Sequence, residues 1–109
     1  MTSGGRLYFV DTGLWRSDGT TGGTKDLGEF GSVEPRNLTA VGSYVCFAET
    51  NFYVDWWHLW ASSGTVSTTH QVGQWPNNAA MYTRAAVGSR LYFAANDGAH
   101  GNELWSYTP

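Results

Sequence analysis

Apolar residues in this chain fall in short runs separated by Gly, Ser, Asp and Thr. The clearest runs are Leu7-Tyr8-Phe9, Tyr44-Val45-Cys46-Phe47 and Leu91-Tyr92-Phe93. No window places apolar residues at i, i+3, i+4 and i+7 through three turns without being cut by Gly, Asn or a β-branched run, so helix is disfavoured. The pattern predicts short strands joined by tight turns. Ser17-Asp18-Gly19-Thr20 is a hairpin signal, because Asp-Gly suits the positive backbone angles of a type I′ turn. Its counterpart further on is Ser62-Ser63-Gly64-Thr65.

The chain also repeats itself. Leu14-Trp15 recurs as Leu59-Trp60 and as Leu104-Trp105, at spacings of 45 and 45. Gly19-Thr20 with Gly64-Thr65, Thr24 with Thr69, and Gly28 with Gly73 hold the same offset. A second block, Ala40-Val41-Gly42-Ser43, returns as Ala86-Val87-Gly88-Ser89 and is followed each time by an apolar run; Gly5-Arg6-Leu7-Tyr8-Phe9 opens the chain with the same element. Each unit reads as four short strands. A period of roughly 40 to 50 residues with four strands per unit is that of β-propeller blades, which cannot bury both faces alone. The expected architecture is all-β, with a partial blade over 1–32, a full blade over 33–76, a partial blade over 77–109, and about ten strands in all.

The motifs Arg90-Leu91-Tyr92-Phe93-Ala94-Ala95-Asn96-Asp97-Gly98 through Gly101-Asn102-Glu103-Leu104-Trp105, and Leu14-Trp15-Arg16-Ser17-Asp18-Gly19-Thr20, resemble the two halves of the ELWxxDGT repeat. That family occurs in long arrays in bacterial, often secreted proteins and is held to form β-propellers, so the resemblance implies a propeller fold and an extracellular setting. It implies no agreed activity. The second copy departs most, with Asn51 to His58 replacing the Asn-Asp-Gly turn and Ser63 standing where the motif has Asp.

Propellers close with roughly four or more blades. A lone chain of this strand count leaves two apolar faces open, so protomers are expected to complete a ring in trans, a homodimer being favoured. The unit boundaries also fit a piece excised from a longer array, or an engineered one.

Composition narrows the chemistry. The chain has 109 residues, one cysteine, 14 glycines, six Trp and a net charge of -3, with only 14% of residues charged. Such a surface offers no basic groove for nucleic acid. No apolar stretch nears the roughly 18 to 20 residues that cross a bilayer, and Met1 to Arg6 lacks the order of a secretion signal. Cys46 reads as a small buried hydrophobe. No pair among His58, His70 and His100 has metal-ligand spacing, and Asn96-Asp97-Gly98 and Ser17-Asp18-Gly19 fall short of a calcium loop. There is no G-x-S-x-G elbow. The reading is non-enzymatic, with no cofactor and no metal.

The one variable segment joins the Leu-Tyr-Phe strand to the Leu-Trp strand: four residues in copy one, eleven in copy two, ten in copy three. In copy two it sets Asn51, Tyr53, Asp55, Trp56, Trp57 and His58 together. Aromatic rings that stack on C–H faces beside Asn and Asp that bond hydroxyls are what a sugar asks for, and such loops carry function. The residues read equally as alternating strand positions in a core or inter-protomer contact. Trp15, Trp60 and Trp105 recur in every copy as blade core. A looser resemblance, to small oligomeric propeller lectins of the fucose-binding type, implies a sugar site of Arg90, Glu103 and Trp105; copy one has Gly13 and copy two His58 at the Glu103 position. A carbohydrate-binding, lectin-like module is the leading reading, and a structural or protein-interaction repeat the alternative.

Overall fold

The computed structural model describes residues 1–11, 13–28, 36–51, 54–76, 84–96 and 102–109. These form eleven strands and no helix. Sheet one comprises β1 (Thr2–Ser3), β2 (Arg6–Asp11), β3 (Gly13–Ser17) and β4 (Lys25–Gly28). Sheet two comprises β5 (Arg36–Val41), β6 (Tyr44–Asn51), β7 (Val54–Ser62) and β8 (His70–Pro76). Sheet three comprises β9 (Arg84–Val87), β10 (Arg90–Asn96) and β11 (Asn102–Tyr107). Each sheet is an antiparallel meander in chain order, and none closes on itself. The additional strand beyond the expected ten is β1, two residues paired with Arg6 and Leu7.

Successive side chains of a strand point to opposite faces and cross-strand partners share a face, so the pairing registers sort each sheet into two faces. The forward faces carry Tyr8 and Leu14 in sheet one, Cys46 and Leu59 in sheet two, and Tyr92 and Leu104 in sheet three. The rear faces carry Phe9 with Trp15, Phe47 with Trp60, and Phe93 with Trp105. The forward face of sheet one packs on the rear face of sheet two, with Tyr8, Leu14 and Leu27 against Val45 and Phe47. The forward face of sheet two packs on the rear face of sheet three in the same way, with Cys46, Ala48, Leu59 and Ala61 against Leu91, Phe93 and Ala95. Strand β6 is therefore buried on both sides from Val45 to Glu49.

Turns join the sheets along one edge. Ser3 Oγ donates to the Gly42 and Tyr44 carbonyls (3.2 and 2.8 Å), and the Gly42 N–H donates to the Gly88 carbonyl (2.9 Å). Arg84 Nε in sheet three donates to Thr39 Oγ1 in sheet two at 2.9 Å.

The expected tight Asp-Gly turn does not form, because β3 ends at Ser17 and β4 begins at Lys25. Side chains hold the wider loop instead. Asp18 Oδ1 accepts from the Thr20 N–H (3.0 Å) and hydroxyl (2.6 Å), and the Thr24 hydroxyl bonds the Thr20 carbonyl (2.7 Å). Local side-chain acceptors here satisfy the backbone that a two-residue turn would return to the ladder. The second unit repeats the design: the Ser17–Thr24 hydroxyl pair (2.8 Å) has its equal in Ser62–Thr69 (2.7 Å), and the Thr69 hydroxyl bonds the Thr65 carbonyl (2.7 Å).

Phe47 fills the first seam, so Phe47→Ala is expected to cost about 3–5 kcal/mol in urea unfolding. Val66→Ala, at an exposed turn, stays within about 0.5 kcal/mol. Burial also pushes the Cys46 thiol from 9.0 up to about 12. The native thiol is thus protonated at neutral pH, and alkylation is expected only after unfolding. Because the folded value is the raised one, the thiol's contribution to stability is intact below about pH 9 and declines as pH climbs toward about 12.

Candidate functional site

The eleven-residue segment expected as a loop in copy two is mostly strand. Strands β6 and β7 stay paired from Val45↔Ser62 out to Asn51↔Val54, with a shift of register at Thr50/Asn51, so the insertion lengthens a hairpin. The alternation of aromatic and polar residues there is the strand reading that stood beside the loop, and the pairing out to Asn51↔Val54 follows it. Asn51 lies in β6 and Asp55, Trp56 and Trp57 lie in β7, where Trp56 pairs with Pro76 and Trp57 with Trp75. Tyr53 lies outside the described residues.

His58 stands at the base of this hairpin, directly across from Glu49. Its Nδ1 lies 2.7 Å from Glu49 Oε2, with the carboxylate side chain 5% and the imidazole 19% exposed. Both lie on the rear face of sheet two, on the side of the first seam. A carboxylate taken this far out of water needs its partner. His58 is thus committed to Glu49, a residue that sequence reasoning did not single out. The signal was available only with the hairpin centred, since the two positions face each other across its tip.

Sheet three carries the other three predicted residues and does not bring them together. Trp105 pairs with Phe93 on the rear face, its Nε1 donating to the Ala95 carbonyl at 3.2 Å. Its ring meets Trp75 edge-on, centroids 5.5 Å apart, and packs in the second seam. Glu103 pairs with Ala95 on that same face but is exposed. Arg90 pairs with Val87 on the forward face, at the other end of the hairpin, and its Nε donates to Thr108 Oγ1 at 3.1 Å. A sheet's thickness and five strand positions, roughly 17 Å, separate the arginine from the glutamate within one chain.

A polar cluster that the sequence did not announce lies across the first seam. Arg6 Nη1 donates to the Ser63 carbonyl and Arg16 Nε to the Gly64 carbonyl, each at 2.8 Å, while Arg16 Nη1 reaches the Gly23 carbonyl at 3.1 Å. Two guanidiniums of sheet one thereby clasp the β7–β8 turn of sheet two, with charge-assisted bonds to neutral carbonyls. Gly64 has φ +104°, and a Cβ there would run into Arg6 and sit 3.0 Å from the Tyr8 hydroxyl. Only glycine fits beneath this clasp. At the equivalent turn of sheet one, the Thr20 hydroxyl and then its N–H hold the Asp18 carboxyl below the usual carboxylate range.

Among the described residues no group of three or more His, Cys, Asp or Glu side chains is placed to hold a metal ion. No helix among them is long and apolar enough to cross a membrane. The chain matches no known family model, no curated protein and no solved structure.

His58→Ala is expected to cost roughly 3 kcal/mol, because it strands a buried carboxylate. Glu49→Leu combined with His58→Leu is expected to recover most of that loss in the same urea titration, and a double variant as unstable as the single one would show that the pair is not what the seam requires.

Proposed function

We infer that the chain is a segment of a β-propeller, a non-enzymatic repeat module that works as a structural and protein-interaction scaffold. The observation that carries this is the repetition of one contact. Forward face on rear face recurs at both seams with equivalent residues, and the first strands β1, β5 and β9 follow one another along a common edge. A sandwich of two sheets would pair unlike faces once and stop. Repeated stacking of equivalent faces is what arranges blades about an axis. The site geometry agrees with a scaffold: the imidazole and carboxylate that meet are bound to each other in a seam, and Trp105 is packed between sheets. An extracellular setting rests on the repeat resemblance alone.

Electron microscopy of the purified chain tests this reading. Class averages are expected to show radial blades around a central channel; compact particles without a channel would overturn it.

Carbohydrate binding is the second reading, favoured by one observation. Asn51, Asp55, Trp56 and Trp57 belong to a single hairpin end beyond the Glu49–His58 pair, so hydrogen-bonding and stacking residues are gathered on one projection rather than scattered across sheets. Titration of tryptophan fluorescence with simple monosaccharides is expected to give a saturable change that Trp57→Ala abolishes with an unchanged circular dichroism spectrum. No response from the parent chain would leave the scaffold reading alone.

A further inference from the structure

The two outermost faces of the stack are the two halves of the contact made inside it. Leu14 and Leu59, on the forward faces of sheets one and two, are 0% and 1% exposed, whereas their equivalent in sheet three, Leu104, is 76% exposed. Val41 is 0% exposed and its equivalent Val87 is 68%. On the rear faces Val45 and Leu91 are 0% and 1% exposed, and their equivalent in sheet one, Leu7, is 46%. Phe9 and Trp15 are stacked on that same open face, with centroids 6.2 Å apart, as Phe47 and Trp60 are at 6.4 Å in the covered one.

The polar contacts follow the same rule. Arg6 and Tyr8 of sheet one cover the Ser63-Gly64 turn of sheet two. Their equivalents on the forward face of sheet three are Arg90 and Tyr92, and the turn equivalent to Ser63-Gly64 is Asp18-Gly19 in sheet one. A Cβ built on Gly19 meets nothing within 4 Å. Likewise a Cβ on Gly42 would lie 3.0 Å from Ser89, while one on Gly88 meets nothing within 4 Å. Where the internal turn has Ser63, the open one has an aspartate, which adds charge complementarity to Arg90.

We propose that a second copy of this chain stacks head to tail on the first, the rear face of its sheet one covering the forward face of sheet three, with Arg90 and Tyr92 seated on the Asp18-Gly19 turn of the second copy. The contact is heterologous, joining two different faces. Two copies bring six sheets, within the typical four to eight blades of a closed propeller, and three copies bring nine. The copy number rests on the propeller reading; the contact does not.

Sedimentation velocity and light scattering at micromolar concentration test this on the intact chain. The expected mass is twice 12.0 kDa. Leu104→Arg is expected to give a monomer with unchanged circular dichroism, and Val87→Glu serves if the first variant misfolds. Asp18→Arg and Arg90→Asp are each expected to weaken association at least about tenfold, and the two together to restore it. A parent chain that is monomeric, or a dimer that survives both face substitutions, overturns the proposal. A charge swap that fails to restore association overturns the seating of Arg90 on the turn. A mass that grows steadily with concentration supports the head-to-tail contact and overturns the closed ring.

Discussion

Burial of β6 on both faces is the constraint on which the rest of this structure depends. Val45 and Phe47 look toward sheet one, while Cys46 and Ala48 look toward sheet three. One strand thus serves two hydrophobic seams. A four-stranded meander of about 40 residues cannot remove enough apolar surface from water by itself. Each sheet acquires a core only from its neighbour, and the middle sheet is the one that has two.

Because the seams are equivalent, the polar groups at their margins are arranged by the same rule. Hydrogen bonds from Ser3 and Gly42 fix the sheets against one another along one edge, and Arg6 and Arg16 fix the β7–β8 turn of sheet two. These bonds supply register. Apolar packing alone tolerates sliding, whereas a guanidinium on a particular carbonyl admits one offset. The glycines at these places matter for approach: a side chain at Gly64 would displace the arginine that holds the seam.

The stacking logic also changes what the aromatic residues mean. Trp60 and Trp105 are equivalent residues in equivalent seams, and the stacked Phe9–Trp15 pair on sheet one is the same surface without a cover. The tryptophan that recurs in each copy is, at Trp60 and Trp105, the material of sheet-to-sheet contact. The extended β6–β7 hairpin is different. It departs from the repeat in length, and no equivalent in sheet one reaches as far.

Much of this was written in one dimension. The all-β class followed from apolar runs with no helical period, the unit length from Leu-Trp at spacings of 45, and the burial of Cys46 from its place in an apolar run. Those are local or periodic properties, and they survive projection onto a line. Three things did not. The copy-two insertion read either as a loop or as alternating strand positions and extends a hairpin, and its register stayed hidden because cross-strand pairing links residues such as Glu49 and His58 that share no motif. Asp18-Gly19 looked like a two-residue turn and opens a wider one, since the Asp18 carboxylate accepting from Thr20 and the Thr24 hydroxyl donating to the Thr20 carbonyl override the local preference. Arg90, Glu103 and Trp105 stand in the right order along the chain, yet Arg90 lies on the face opposite the other two, because a pleated strand sends positions an odd number apart in opposite directions and only the strand register says which face meets which neighbour.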